Sequence, residues 1–260
     1  MNITILIEKL ENLTNKKVIL EDDSEYQSKY FKPVKLDERL LKVKEEMDKN
    51  IFINGKELTY KGDVEIKELK IFEKFYSKYI IDVKGFVNIS KCNLKEIPVQ
   101  FGYVGGNFSC GNNQLISLKG SPYKVKGAFS CNNNKLTSLE NCPVDVFNFD
   151  CSNNQLTSLK NGPEEVLGVY ICSNNLLISL EGCPKEVGSN FNCWNNKLIS
   201  LKGSPVVVMG RFHVGSNLLT SLKGSPKFVN GNFVCHTNKT VFTKEYVRKN
   251  CDVGGQIIIS

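Results

Sequence analysis

From Phe108 to Asn238 apolar and polar positions recur in one fixed order. Cys110, Cys131, Cys151, Cys172, Cys193 and Cys235 follow one another at intervals of 21, 20, 21, 21 and 42 residues, and Val214 stands at the midpoint of the long interval. Two positions before this marker come Phe108, Phe129, Phe149, Tyr170, Phe191, Phe212 and Phe233; three after it come Asn113, Asn134, Asn154, Asn175, Asn196, Asn217 and Asn238. Leucine recurs five and eight positions after the marker, beginning with Leu115 and Leu118, and proline twelve after, from Pro122 to Pro226. A fixed period near 21 residues is the signature of a solenoid, whose repeats bury their apolar faces only against their neighbours.

Each position has a physical reading. The aromatic and marker positions alternate with polar ones, which predicts a short strand pointing both inward. The asparagine falls where the chain leaves that strand. Its amide can satisfy backbone groups that have no ladder partner, and stacked copies predict an asparagine ladder. The leucines carry the core around the return. Gly120, Asn141, Asn161, Gly182, Gly203 and Gly224, ten positions after the marker, suit a left-handed backbone conformation ahead of a proline that blocks helix. A coil of 21 residues leaves no room for a full helix on its outer side, so the return is predicted to be extended or 3₁₀.

The same frame extends in both directions. Val83 to Ile89 aligns with Val104 to Cys110, which makes Ile89 a marker and puts Cys92 at the asparagine position. Val253 to Ile259 is the strand once more, and Thr243 to Asn250 reads as a short helix with Thr243 as its cap. The predicted organisation is a repeat array over residues 83–242 and a helix-strand C-terminal cap over residues 243–260. Residues 61–82 form a transitional stretch, with a strand at Val64–Ile66 and an amphipathic helix at Leu69–Tyr79. Residues 1–60 lack the repeat and read as a small α+β cap or docking domain: a helix over Ile3–Leu13, a strand over Lys17–Glu21, a helix over Leu36–Lys49 and a hairpin around Asn54-Gly55.

Composition narrows the chemistry. Hydrophobic residues make up 41% of the 260, which is too apolar for wholesale disorder. No apolar run reaches the roughly 18 residues that span a bilayer, and Ile3–Ile7 lacks the basic flank of an export signal. The expected location is therefore a cytoplasm, where ten cysteines stay reduced. Six of them mark successive coils as a cysteine ladder and read as small apolar filling rather than nucleophiles. No C-x-x-C pair and no phosphate-binding glycine loop occurs, so no metal, cofactor or small-molecule substrate is expected. Lys84 onward holds 18 basic and 10 acidic residues, a balance of +8 that suits anionic partners in general. The coil aromatics point inward, however, which disfavours nucleic acid as the partner.

Segments such as Phe129-x-Cys131-x-x-Asn134-x-Leu136-x-x-Leu139 resemble the leucine-rich repeats. The form S-N-N-x-L-T-S-L followed by a G-x-P loop is similar to repeats of tailed bacteriophages and of some bacterial effector proteins. The resemblance covers residues 83–260 and departs from the family in using cysteine and phenylalanine where leucine is usual. It implies a curved parallel β-sheet of about nine strands and an open concave face made by residues three and one before the marker and one after it. Most coils present Asn, Ser, Gly or Ala there. Four coils instead present Val169 and Ile171, Asn192 and Trp194, Arg211 and His213, and Val234 and His236, with Gly215 leaving a gap between Trp194 and His236. Trp and Arg beside apolar residues are the stuff of interface hot spots, so these eight residues are the candidate partner-binding patch.

The expected function is a non-enzymatic protein-interaction module. Resemblance and the Asn- and Lys-rich composition suggest a phage source, with a role as a virion accessory protein or as an intracellular binder that blocks a host factor. The alternatives are an effector enzyme that pairs the repeats with a ubiquitin-ligase-like domain, and nucleic-acid binding through the basic repeat surface. The first alternative is weakened because residues 1–60 contain no cysteine.

Overall fold

A computed structural model describes residues 38–259. The helix expected at Ile3–Leu13 and the strand expected at Lys17–Glu21 lie outside the described residues. The described chain winds into a parallel β-solenoid. Two-residue strands at the aromatic position, from Val87–Asn88 and Phe108–Ser109 to Phe233–Val234 and Ile257–Ile258, stack in chain order into the first sheet, which is parallel and nine-stranded.

A second sheet runs along the return. Asp145–Val146, Glu165–Val166, Glu186–Val187, Val207–Val208, Phe228–Val229 and Asp252–Val253 form six parallel strands. Extended return backbone agrees with the expectation; no 3₁₀ segment occurs among the described residues. The reason is a valine ahead of each marker. Val125, Val146, Val166, Val187, Val208 and Val229 are all buried, and β-branched residues favour the pleated conformation that lets neighbouring coils share hydrogen bonds.

The N-terminal elements join this framework. The helix Glu38–Asp48 precedes a hairpin of Ile51–Asn54 and Glu57–Tyr60, turned at Gly55 with a φ of 59°. Glu57–Tyr60 pairs in parallel with Ile80–Val83, which pairs with Gln100–Val104, so the hairpin is a hydrogen-bonded extension of the return strands. The expected strand Val64–Ile66 is reduced to a single bridge from Val64 to Val87. Ile66 instead opens a helix over Ile66–Phe75, shifted toward the N-terminus of the predicted Leu69–Tyr79. Glu68 causes the shift: its side chain accepts the Glu65 backbone N–H at 3.1 Å and closes the helix start early. At the other end Thr243 Oγ1 accepts the Tyr246 N–H at 3.1 Å and caps the helix Lys244–Asn250, as its sequence predicted.

Two continuous stacks fill the interior. Rings from Phe101 through Phe108, Phe129, Phe149, Tyr170, Phe191 and Phe212 to Phe233 follow one another with centroids 5.0–6.1 Å apart, close to the ~4.8 Å separation of neighbouring strands. Cys110, Cys131, Cys151, Cys172 and Cys193 run beside them with no solvent exposure.

The turn off the first sheet is a two-asparagine device. Asn112, Asn133, Asn153, Asn174 and Asn195 adopt φ of 52–55°, a left-handed conformation that asparagine tolerates better than most residues. The following asparagine turns its amide into the core. Asn175 is representative: its Oδ1 accepts the Leu156 N–H at 3.0 Å, and its Nδ2 donates to the carbonyls of Cys151 at 3.1 Å and Cys172 at 3.2 Å. Asn113, Asn134, Asn154, Asn196, Asn217 and Asn238 repeat this triple contact. Each therefore joins its own coil to the preceding one. Cys92 is the exception with a cause. The turn before it is replaced by the helix Ile66–Phe75, whose N–H groups bond within the helix, so no return arc awaits an acceptor.

This geometry predicts that Asn175→Ala destabilises the chain by about 3 kcal/mol, because it strands a buried N–H and two carbonyls. Cys92→Ala is expected to cost less than about 1 kcal/mol. Urea denaturation of the two variants beside the parent measures the difference, and equal effects would contradict the role given to the amide.

Candidate partner-binding face

The side chains that alternate with the buried ring row lie on the outer side of the first sheet. Strand register puts Asp150 beside Ile171, Ile171 beside Asn192, Asn192 beside His213, His213 beside Val234, and Val234 beside Ile258. Four of the predicted residues thus form one continuous row. Trp194 and His236 flank it one position after their markers, and Val169 and Arg211 three positions before theirs.

Those last two positions are governed by a second amide contact with a two-coil period. Asn107, Asn148, Asn190 and Asn232 each use Oδ1 to accept a backbone N–H of the next coil, from Ala128, Val169, Arg211 and Gln256 at 2.7–2.9 Å. Asp63 does the same for Phe86 at 2.9 Å. Glycine is required on the receiving side: a Cβ at Gly168 or Gly210 would lie 2.2 Å from Asn148 Oδ1 or 2.4 Å from Asn190 Oδ1. In alternate coils the side chain is therefore committed to holding backbone. In the intervening coils it is free, and Val169 and Arg211 occupy two of these free positions.

Exposure differs among the eight. Arg211 is exposed, while Val169, Ile171, Asn192, Trp194, His213 and His236 are half-buried. The Asn192 amide oxygen accepts the Trp194 backbone N–H at 3.0 Å, which fixes the turn that presents the indole. Val234 departs from the expectation, being fully buried although it is outside the core cluster. It sits between the longer His213 and Ile258 and is shielded by them. Ile258, half-buried at the end of the same row, belongs to the face as well, one coil beyond the eight residues expected from the sequence.

The gap expected at Gly215 is filled from within. A methyl there would lie 3.0 Å from His213 Nε2 and 3.2 Å from His236 Cε1, so the glycine makes room for two imidazoles whose centroids are 5.5 Å apart. His213 Nε2 is shielded from solvent and has no hydrogen-bond partner. Burial, then the charge of Arg211, then His236 push its pKa from 6.5 down to about 4. His236 Nδ1 lies 3.0 Å from Thr237 Oγ1.

Elsewhere the chemistry is quiet. Burial holds the thiol of Cys110 up at about 12, that of Cys235 up at about 11, and those of Cys131, Cys151 and Cys172 well above the usual range, so these sulfurs are protonated at neutral pH and poor nucleophiles. Among the described residues no three His, Cys, Asp or Glu side chains are placed to hold a metal ion, and no helix is long and apolar enough to cross a membrane.

The depressed His213 pKa gives stability a pH dependence of known sign. The folded chain refuses a proton that the unfolded chain accepts, so stability is complete above about pH 6.5 and declines as pH falls toward 4. Because His213 is only half-buried, solvent screening reduces the loss to about 1–2 kcal/mol. His213→Gln is expected to remove that increment; denaturation midpoints at pH 7 and pH 5, compared for parent and variant, measure it.

No protein-family model, no curated protein and no solved structure matches this chain.

Proposed function

We propose that the chain is a non-enzymatic protein-binding solenoid of the leucine-rich-repeat type, and that it takes a protein partner on the concave face of a curved first sheet. One observation carries this reading. Along a single row the side chains change from the polar Asp150 to Ile171, Asn192, His213, Val234 and Ile258, with Trp194 and the exposed Arg211 beside them. A tryptophan and an exposed arginine flanking a row that mixes Ile171, Val234 and Ile258 with Asn192 and His213 match the composition of an interface core. Nine strands at ~4.8 Å make a sheet roughly 40 Å long, a scale that suits a protein surface better than a metabolite.

The phage-like repeat sequence supports two settings for such a module. It would act as an accessory component of the virion, or inside the infected cell as a binder that blocks a host protein. Mass spectrometry of purified particles separates them: the first setting predicts the chain in the particle, the second its early expression and absence from the particle.

The binding face itself is tested by affinity capture from a bacterial lysate with the parent and with Trp194→Ala/Arg211→Ala. Retention of the captured partner is expected to weaken at least about thirtyfold, the size of one hot spot, while circular dichroism and the denaturation midpoint stay near the parent's. Undiminished capture by the double variant would sink the assignment.

A further inference from the structure

We propose that the second sheet carries a separate docking groove for an extended cationic segment of a partner protein, with lysine or arginine against a carboxylate row and an apolar residue in a notch. The groove has a volume of about 950 Å³, and Leu167, Val207, Met209, Gly188, Glu165 and Glu186 are among its lining residues. It lies on the return side of the coils and shares none of these residues with the concave patch, so it stands independently of the function proposed above.

The notch follows from one column of the repeat. Five positions before successive markers come Leu167, Gly188 and Met209. Leu167 is 68% exposed and Met209 50% exposed, and both line the groove. Gly188 separates them and cannot be replaced without moving backbone, since a Cβ there would lie 1.9 Å from the Leu167 carbonyl oxygen. The two apolar side chains therefore wall a slot floored by main chain.

The charge follows from the neighbouring column. Glu165 pairs with Asp145 in register, and the pairing of Val166 with Val187 brings Glu165 alongside Glu186. Three exposed carboxylates consequently stack on adjacent strands at ~4.8 Å, a like-charge arrangement that destabilises a free sheet. None of them joins an ion pair among the described residues. Lys160 and Lys185 share the groove without forming ion pairs with the row. Of the ten acidic residues from Lys84 onward, three (Glu164, Glu165 and Glu186) line the groove and Asp145 stands beside Glu165 on the next strand, in a chain whose net charge is +7. A cationic segment relieves the repulsion within the row, and its apolar side chain covers the exposed Leu167 and Met209. A bare divalent cation fits less well, because among the described residues no three carboxylates are placed to share one ion.

The test is fluorescence anisotropy of the full chain with a labelled octapeptide alternating lysine and leucine, and with its glutamate–leucine counterpart. Saturable binding of the lysine peptide alone is expected. It should weaken by about tenfold or more in Glu165→Lys/Glu186→Lys and at raised salt, and by a similar factor in Leu167→Ser/Met209→Ser. All four replaced side chains are exposed, and circular dichroism verifies that each variant stays folded. Binding should persist in Trp194→Ala/Arg211→Ala. No binding of the lysine peptide, equal binding of the glutamate peptide, or affinity unchanged in both groove variants would overturn the proposal.

Discussion

The asparagine amide that turns inward at each coil is the contact on which the rest of the solenoid depends. Where the chain leaves the first sheet, its N–H and C=O groups pass out of ladder geometry while still inside the protein. Leaving them unpaired would cost about 1–3 kcal/mol each. A primary amide offers both an acceptor and two donors, and Asn154 uses all of them, on the Leu136 N–H and the Cys131 and Cys151 carbonyls. Aspartate lacks the donors, and leucine lacks both. The amide also reaches into the preceding coil, so it sets the stacking as well as the turn.

With the polar groups satisfied at that corner, the interior is free to be wholly apolar. Phenylalanine stacks along the axis, and the smaller cysteine runs buried beside it. The ring row from Phe101 to Phe233 has one irregularity. Tyr170 replaces phenylalanine, and its hydroxyl is buried without a hydrogen-bond partner. It points toward Gly162, where a Cβ would lie 3.7 Å away, at a position that holds Ser121, Cys142, Cys183, Ser204 and Ser225 in the other coils. A Cβ alone would be in ordinary van der Waals contact with the hydroxyl, and the serine or cysteine heteroatom that the other coils carry there is absent.

Much of this was legible from the order of residues because a stacked solenoid converts sequence period directly into spatial neighbours. The inward row, the amide ladder and the left-handed positions at Asn141, Asn161, Gly120, Gly182, Gly203 and Gly224 (φ 64–96°) all follow from one 21-residue frame. The second sheet did not follow. Its strands are two residues long and most sit between a proline and a glycine, so no alternation marks them, and only the recurring valine hints at burial. The amide contacts of Asn107, Asn148, Asn190 and Asn232 repeat every second coil, a slower period hidden beneath the first. Within the candidate patch, membership of the row could be read from position, but exposure could not. Val234 is shielded by residues of the coils on either side, and His213 settles over Gly215, both consequences of side-chain size in adjacent coils.

If the amide ladder is what closes each coil, its mark is found on backbone groups outside any strand. The N–H groups of Leu115, Leu136, Leu156, Leu177 and Leu198 have side-chain acceptors 3.0–3.1 Å away in the buried interior. Residue-resolved amide hydrogen exchange is the most direct measurement. Protection of these five leucine amides should equal that of the neighbouring first-sheet amides and be lost only with global unfolding. Exchange at the rate of exposed loop amides such as those around Lys119 would contradict the account.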